Sequence, residues 1–129
     1  MGIELTARVR AIPVARTAED VAWLAGRLEK FFAGATNAIY APVGGDENPV
    51  TVLQDVEART VWMPEDAGLI MRTSGSTTGS GRLVGLSAAQ MRASAAATEA
   101  RLGGPCSWVL AMAPHHIAGL QVVARALLS

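Results

Sequence analysis

The sequence predicts an α/β domain, a mostly parallel sheet with flanking helices, and three observations predict it. Short apolar runs of strand length, at Gly68–Met71, Leu83–Leu86 and Ser107–Met112, are interleaved with segments of helical period in the C-terminal half. A loop of small residues, Thr73–Gly81, sits between the first two runs. A histidine pair, His115-His116, follows the third. Both polar features thus fall at strand ends, where ligands of open α/β sheets gather.

The elements follow in chain order. Thr17 and Asp20 resemble a capping box with the acid in the first turn, and Val21, Leu24, Ala25, Leu28, Phe31 and Phe32 recur at helical spacing. They predict an amphipathic helix over 18–33, closed by Gly34. Ala38–Val43 predicts a short strand ended by Gly44-Gly45. From Asp46 to Pro64 no period is sustained beyond a hint of a turn or short helix at Val50–Val56, so this stretch is expected to be an irregular connection or edge. Gly68–Arg72 and Arg82–Leu86 are strand candidates. A helix starts at Ser87 with Gln90 in the capping-box position, buries Met91, Ala95, Thr98 and Leu102, and ends at Gly103-Gly104-Pro105. Ser107–Met112 reads as a fully buried parallel strand, and 117–128 as the last helix.

Composition narrows the function. At 129 residues one domain with a modest core is expected. Eleven basic and eleven acidic residues give zero formal charge, which favours neither nucleic acid nor a membrane surface as partner. The single cysteine, Cys106, fits a reducing cytoplasm, and the N-terminus, with Glu4 and no long apolar core, does not read as a signal peptide. The helix of 117–128 is still running at Ser129 without a Gly or Pro exit signal. The expectation is therefore a piece of a longer protein.

The loop TSGSTTGSG carries six hydroxyls and three glycines. Backbone N–H groups can converge on an oxyanion where no side chain obstructs them, and short hydroxyls add donors. Arg82 places positive charge at the rim. The spacing is neither a Walker A loop nor a dinucleotide fingerprint. A flexible Gly/Ser linker has the same composition, but the tight flanking by apolar strands favours phosphate contact. Adjacent His115 and His116 cannot form a helical metal pair, so no zinc site is expected and no metal ligand is assigned. Two readings of the pair stay open: one histidine packed and one solvated, or one imidazole beside a bound substrate. Trp23, Trp62 and Trp108 read as core or near-core aromatics.

At this point the motifs can be compared with known families. TSGSTTGSGRLVGLS at 73–87 resembles the phosphate-binding signature of adenylate-forming enzymes, the acyl- and aryl-CoA synthetase superfamily. SAAQMRASAAATEARLGGP from Ser87 and WVLAMAPHHIAGLQVVAR from Trp108 are similar to its 2-succinylbenzoate–CoA ligases of menaquinone biosynthesis, in their actinobacterial form. The resemblance covers about half the chain, from Ala67 onward. It implies that 1–129 is the N-terminal portion of an AMP-binding (adenylation) domain, unable alone to complete adenylation. It implies an ATP- and Mg2+-dependent ligase that joins a small-molecule carboxylate to CoA through an acyl-adenylate. Thr73, Ser74, Gly75, Ser76, Thr77, Thr78 and Gly79 would wrap the ATP phosphates, with Arg82 where the family usually has lysine. His116 would line the acyl and adenylate site. The family's usual TSG-S/T-TG-x-P-K is departed from by one extra threonine (Thr78 is the simplest candidate), by Gly81 in place of proline, and by Arg82. An unfinished sheet would also leave an edge or apolar surface for self-association.

Overall fold

The structure is a computed structural model that describes residues 2–3, 9–59, 63–73 and 82–129. In chain order the elements are β1 (Gly2–Ile3), β2 (Val9–Val14), α1 (Ala18–Phe32), β3 (Ile39–Gly44), α2 (Pro49–Arg59), β4 (Met63–Pro64), β5 (Ala67–Arg72), β6 (Leu83–Ser87), α3 (Ala88–Leu102) and α4 (Ile117–Leu128). The main sheet has the order β2-β3-β5-β6, with β2, β3 and β5 parallel and β6 antiparallel to β5; β1 and β4 form a separate antiparallel pair. The sheet is mixed and mostly parallel, as the sequence predicts. The strands on either side of the Thr73–Gly81 stretch, β5 and β6, pair antiparallel.

Alternation along the strands makes two cores. On one face Ile12, Val14, Tyr40, Leu69 and Met71 pack against Leu24, Leu28 and Phe31 of α1, Met91 of α3 and Leu120, Val123 and Ala124 of α4. On the other, Val9, Ile39, Ala41, Val43, Ala67 and Ile70 pack against Val52 and Val56 of α2. The parity of β5 changes at a register shift between Ala67 and Leu69. There Gly68 lies beneath Phe31, whose Cε1 would be 2.2 Å from an added Cβ.

The helix ends follow their chemistry. Thr17 Oγ1 accepts from Asp20 N–H at 3.1 Å, while the Asp20 carboxylate reaches further back, to Ala15 N–H at 2.7 Å. In α3, Ser87 and Gln90 close a full capping box, and Gly103 ends the helix at φ 91°. Arg92 of α3 donates to Phe32 O at 2.8 Å and lies over the Phe32 ring, fastening α3 to the end of α1.

Three expectations need correction. The stretch after Asp46 is not an irregular connection: the hint of a short helix at Val50–Val56 is an eleven-residue helix, α2, packed on one sheet face through Val52 and Val56. Asn48 Oδ1 caps it by accepting from Val50 and Thr51 N–H, Pro49 occupies the first turn, and Val52 and Val56 supply one buried row. With so few apolar residues in the row, the period is weak. Second, Ser107–Met112 is not a strand. It runs beside α1 and α4 rather than in the sheet, with Leu110 turned inward and Val109 85% exposed. A strand needs a ladder, and apolar content alone does not supply one. Third, Leu102 is exposed rather than buried, and so in part is Trp23, whose ring faces Arg27 instead of the core. Trp62 lies outside the described residues.

Two glycines should respond oppositely to alanine. A Cβ at Gly119 in α4 would sit 2.1 Å from Ala113 O, a backbone atom, whereas one at Gly26 in α1 meets nothing within 4 Å. Gly119→Ala is expected to destabilise the protein by about 1–3 kcal/mol and Gly26→Ala to stabilise it by about 0.5–1 kcal/mol, read from denaturant unfolding.

Candidate functional site

The carboxyl ends of the parallel strands β2, β3 and β5 lie side by side, and the chemistry-bearing groups collect there. At the end of β5, Thr73 and Arg82 form the neck of the small-residue loop. Thr73 N–H donates to Arg82 O at 2.9 Å, and Arg82 N–H donates back to Thr73 Oγ1 at 3.0 Å. The Arg82 side chain is exposed. Ser74, Gly75, Ser76, Thr77, Thr78 and Gly79 lie outside the described residues.

Beside this neck the last residue of β5, Arg72, meets Glu47 in the turn after β3. Arg72 Nη1 donates to Glu47 Oε2 at 2.9 Å and Nη2 to Oε1 at 2.6 Å, a two-point fork. Nη2 also approaches Pro42 O at 3.4 Å, and Glu47 Oε1 accepts from Gly44 N–H at 2.9 Å. The same Oε1 lies 3.8 Å from His115 Nε2. The His115 ring can lie against the end of β3 because Gly44 has no side chain; an added Cβ would be 2.8 Å from Nε2. His115 and His116 face each other with ring centroids 4.0 Å apart and planes 38° apart. Adjacent residues in a strand would point oppositely, but this pair sits in the turn that starts α4, where His116 is the N-cap residue. His115 is half-buried and His116 exposed.

Glu47, His115 and His116 line a cleft of about 600 Å³ together with Val14, Ala15, Arg16, Gly45 and Asp46. Arg16 is shared with an adjoining, more apolar cleft of about 370 Å³ between the start of α1 and Leu110–Met112. Hydrogen bonding from Arg72 pulls the Glu47 carboxyl from its ordinary 4.5 down to about 2, and the partner effect raises Arg72. Burial, and next the neighbouring His116, hold His115 below the usual histidine range. His115 Nδ1 is buried without a hydrogen-bond partner among the described residues. Near neutral pH the cleft therefore presents a neutral imidazole, an ion pair already matched, and Arg16 and Asp46 on its rim. Such a surface can hydrogen-bond and orient a polar ligand.

Of the residues singled out from sequence, Thr73 and Arg82 share the neck and His116 borders the cleft. Glu47, Arg72, Arg16 and His115's contact with Glu47 were not singled out. One local signal pointed to Arg72, a lone cation closing the apolar run Leu69–Met71 immediately before the loop. Nothing local pointed to Glu47, which lies 25 residues from its partner.

Comparison with known proteins gives a direct link. Over 102 residues the chain is 38% identical to proteins of two strains of Mycobacterium tuberculosis, each described as "Probable 2-succinylbenzoate--CoA ligase". The alignment takes in 79% of this chain and 25% of each relative. The chain is similar to part of a CoA ligase. It spans about a quarter of the length of the curated relatives it matches. No protein-family model matches it, and no solved structure does so significantly. Among the described residues no helix is long and apolar enough to cross a membrane.

Both shifted groups make acid destabilising, in separate windows. His115, depressed in the fold, contributes stability above its ordinary value of 6.5 that is lost as pH falls below it. Glu47, also depressed, contributes stability above 4.5 that is lost as pH falls towards about 2. Thermal unfolding followed against pH should show both declines, with Glu47→Gln removing the lower one.

Proposed function

We propose that this chain is the N-terminal part of the adenylation domain of an ATP-dependent acid–thiol ligase acting in menaquinone biosynthesis. The ligase converts 2-succinylbenzoate and CoA to 2-succinylbenzoyl-CoA. The observation that carries this reading is the 38% identity to the two mycobacterial relatives over most of the chain. The small-residue loop at the carboxyl end of a sheet strand supports it independently, because that is where a phosphate cradle belongs.

In this reading the substrate carboxylate attacks the α-phosphate of ATP, giving the acyl-adenylate and pyrophosphate. The CoA thiolate then attacks the acyl carbon and releases AMP. Thr73, Ser74, Gly75, Ser76, Thr77, Thr78 and Gly79 hold the β- and γ-phosphates through backbone N–H groups and hydroxyls, and Arg82 stabilises the charge that develops on pyrophosphate. His116 lines the side facing the acyl group and adenylate. Among the described residues no group of three His, Cys, Asp or Glu side chains could hold a metal ion. In this reading magnesium would arrive with the nucleotide and would supply charge neutralisation on its phosphates, and no residue of this chain is assigned to hold it.

Calorimetry should detect ATP·Mg2+ binding to the chain, and Arg82→Ala should weaken it about tenfold, the effect of one charge-assisted contact. The complete gene product, given 2-succinylbenzoate, ATP, Mg2+ and CoA, should form the CoA thioester, detected by mass spectrometry. Absence of nucleotide binding overturns the reading. Thioester formation with other carboxylates but not with 2-succinylbenzoate moves the assignment to a different acyl-CoA ligase. Nucleotide binding by a complete product that makes no thioester leaves a phosphate-binding module.

A further inference from the structure

Two clefts meet at Arg16. The polar one, of about 600 Å³, is the cleft of the histidines. The other, of about 370 Å³, is bordered by Val21 of α1 and by Leu110, Ala111 and Met112. That second volume falls in the range of small-molecule pockets, which bury an apolar body and orient it with a few polar groups. Arg16 is the cation of both, since no lysine and no other arginine lines either cleft among the described residues. The backbone on either side of it is fixed: Ala15 N–H donates to Asp20 Oδ2 at 2.7 Å, and Asp20 N–H donates to Thr17 Oγ1 at 3.1 Å.

The surrounding acids are engaged elsewhere. Asp20 accepts from the backbone, and Glu47 accepts from Arg72 and Gly44 N–H. Asp46 lines the polar cleft but forms no ion pair with Arg16. The Arg16 side chain is exposed and has no hydrogen bond or ion pair among the described residues. A guanidinium keeps its charge across the working pH range and offers a planar fork that meets a carboxylate with two bonds. An apolar cleft bordered by one unmatched fork suits a ligand of the opposite layout, an apolar body that ends in a carboxylate. We propose that Arg16 and the cleft of Val21 and Leu110–Met112 bind a small aryl or alkyl carboxylate, the guanidinium taking the carboxylate and the cleft the apolar body. The proposal rests on the ligase reading only for the identity of the acid, the 2-succinylbenzoate of that reaction; the cation and the cleft stand without it. Arg16 is then a specificity-determining residue, because a neutral amide of the same shape leaves the guanidinium without its anion.

The test follows the backbone amide and arginine Nε–H signals of the isotope-labelled 129-residue chain by NMR. Benzoate, 2-succinylbenzoate and benzamide are titrated in turn at constant pH and ionic strength. The two acids should shift the signals of Arg16, Val21, Leu110, Ala111 and Met112, and benzamide should bind the same place about fivefold more weakly than benzoate. Arg16→Gln should raise the dissociation constants of both acids about fivefold, the effect of one partly exposed charge-assisted fork, and leave that of benzamide in place. Ala111→Leu should instead weaken all three ligands, because it narrows the cleft and leaves the cation.

Equal constants for benzoate and benzamide, or acids that bind Arg16→Gln as tightly as the unaltered chain, overturn the role of the cation. Shifts centred on other residues, or no shifts at all, overturn the site. The comparison of benzoate with benzamide needs no variant, so it decides even where Arg16→Gln does not fold. ATP·Mg2+ binding by a chain that binds neither acid overturns this proposal and leaves the ligase reading standing. Acid binding at these residues by a chain that binds no ATP·Mg2+ supports the site, while the ligase reading falls.

Discussion

The two-point ion pair between Glu47 and Arg72 is the junction on which the carboxyl edge of the sheet depends. Parallel strands end with their last carbonyl and N–H groups pointing into loops, and those loops have no ladder to order them. Here one carboxylate takes the Gly44 N–H as β3 ends and the Arg72 fork as β5 ends. Two strand ends that are neighbours in the sheet thereby share one anchor, made by residues 25 apart in sequence. The pair is partly exposed, so its contribution to global stability is modest, about that of a well-formed surface pair. Its larger effect is local geometry, because it ties the turn after β3, which lines the cleft, to the end of β5.

The rest of the fold puts that edge where it is. Residues on opposite faces of β2, β3 and β5 enter different cores, so each strand is pinned from both sides and its end cannot slide without moving apolar side chains into water. The irregularity at Gly68 belongs to the same constraint. Phe31 occupies the space above it, and the register shift there lets Ala67 and Ile70 face α2 while Leu69 and Met71 face α1. At the other side of the cleft, Gly119 lets the Ala113 carbonyl approach α4 closely, and this fixes the turn that carries His115 and His116.

Legibility from sequence followed the range of the physical signal. Where one segment carries its own period and its own caps, the reading was close: α1 was expected over 18–33 and spans Ala18–Phe32, the Ser87–Gln90 capping box is present, and α4 occupies 117–128 as expected. Where the outcome depends on a partner, it was not. Ser107–Met112 has the composition of a strand, yet in the fold it finds α1 and α4 rather than a ladder. The segment after Asp46 looked irregular because α2 needs only Val52 and Val56 to cover its face. The site shows the same division. The loop composition and the histidine pair are local patterns and were visible, whereas Glu47 and Arg72 acquire meaning only when β3 and β5 become neighbours. Of the two readings left open for the histidines, the fold has His115 half-buried and His116 exposed, with the two rings facing each other at the turn.

The electrostatics of the cleft follow from that same pairing. An unmatched carboxylate 3.8 Å from His115 would favour the imidazolium, since an opposite charge at that range raises a histidine. Arg72 offsets part of that pull, and burial, followed by His116, outweighs the rest, so His115 lies below the usual histidine range. A neutral imidazole can donate from one nitrogen and accept at the other, whereas an imidazolium only donates. Under the proposed reading this separates two tasks along the sheet edge. Cationic and N–H stabilisation of phosphate is concentrated at the loop and Arg82, while the wall facing the acyl group hydrogen-bonds without adding positive charge. A second cation at the histidines would compete with the loop for the same polyphosphate, and the burial of His115 works against it.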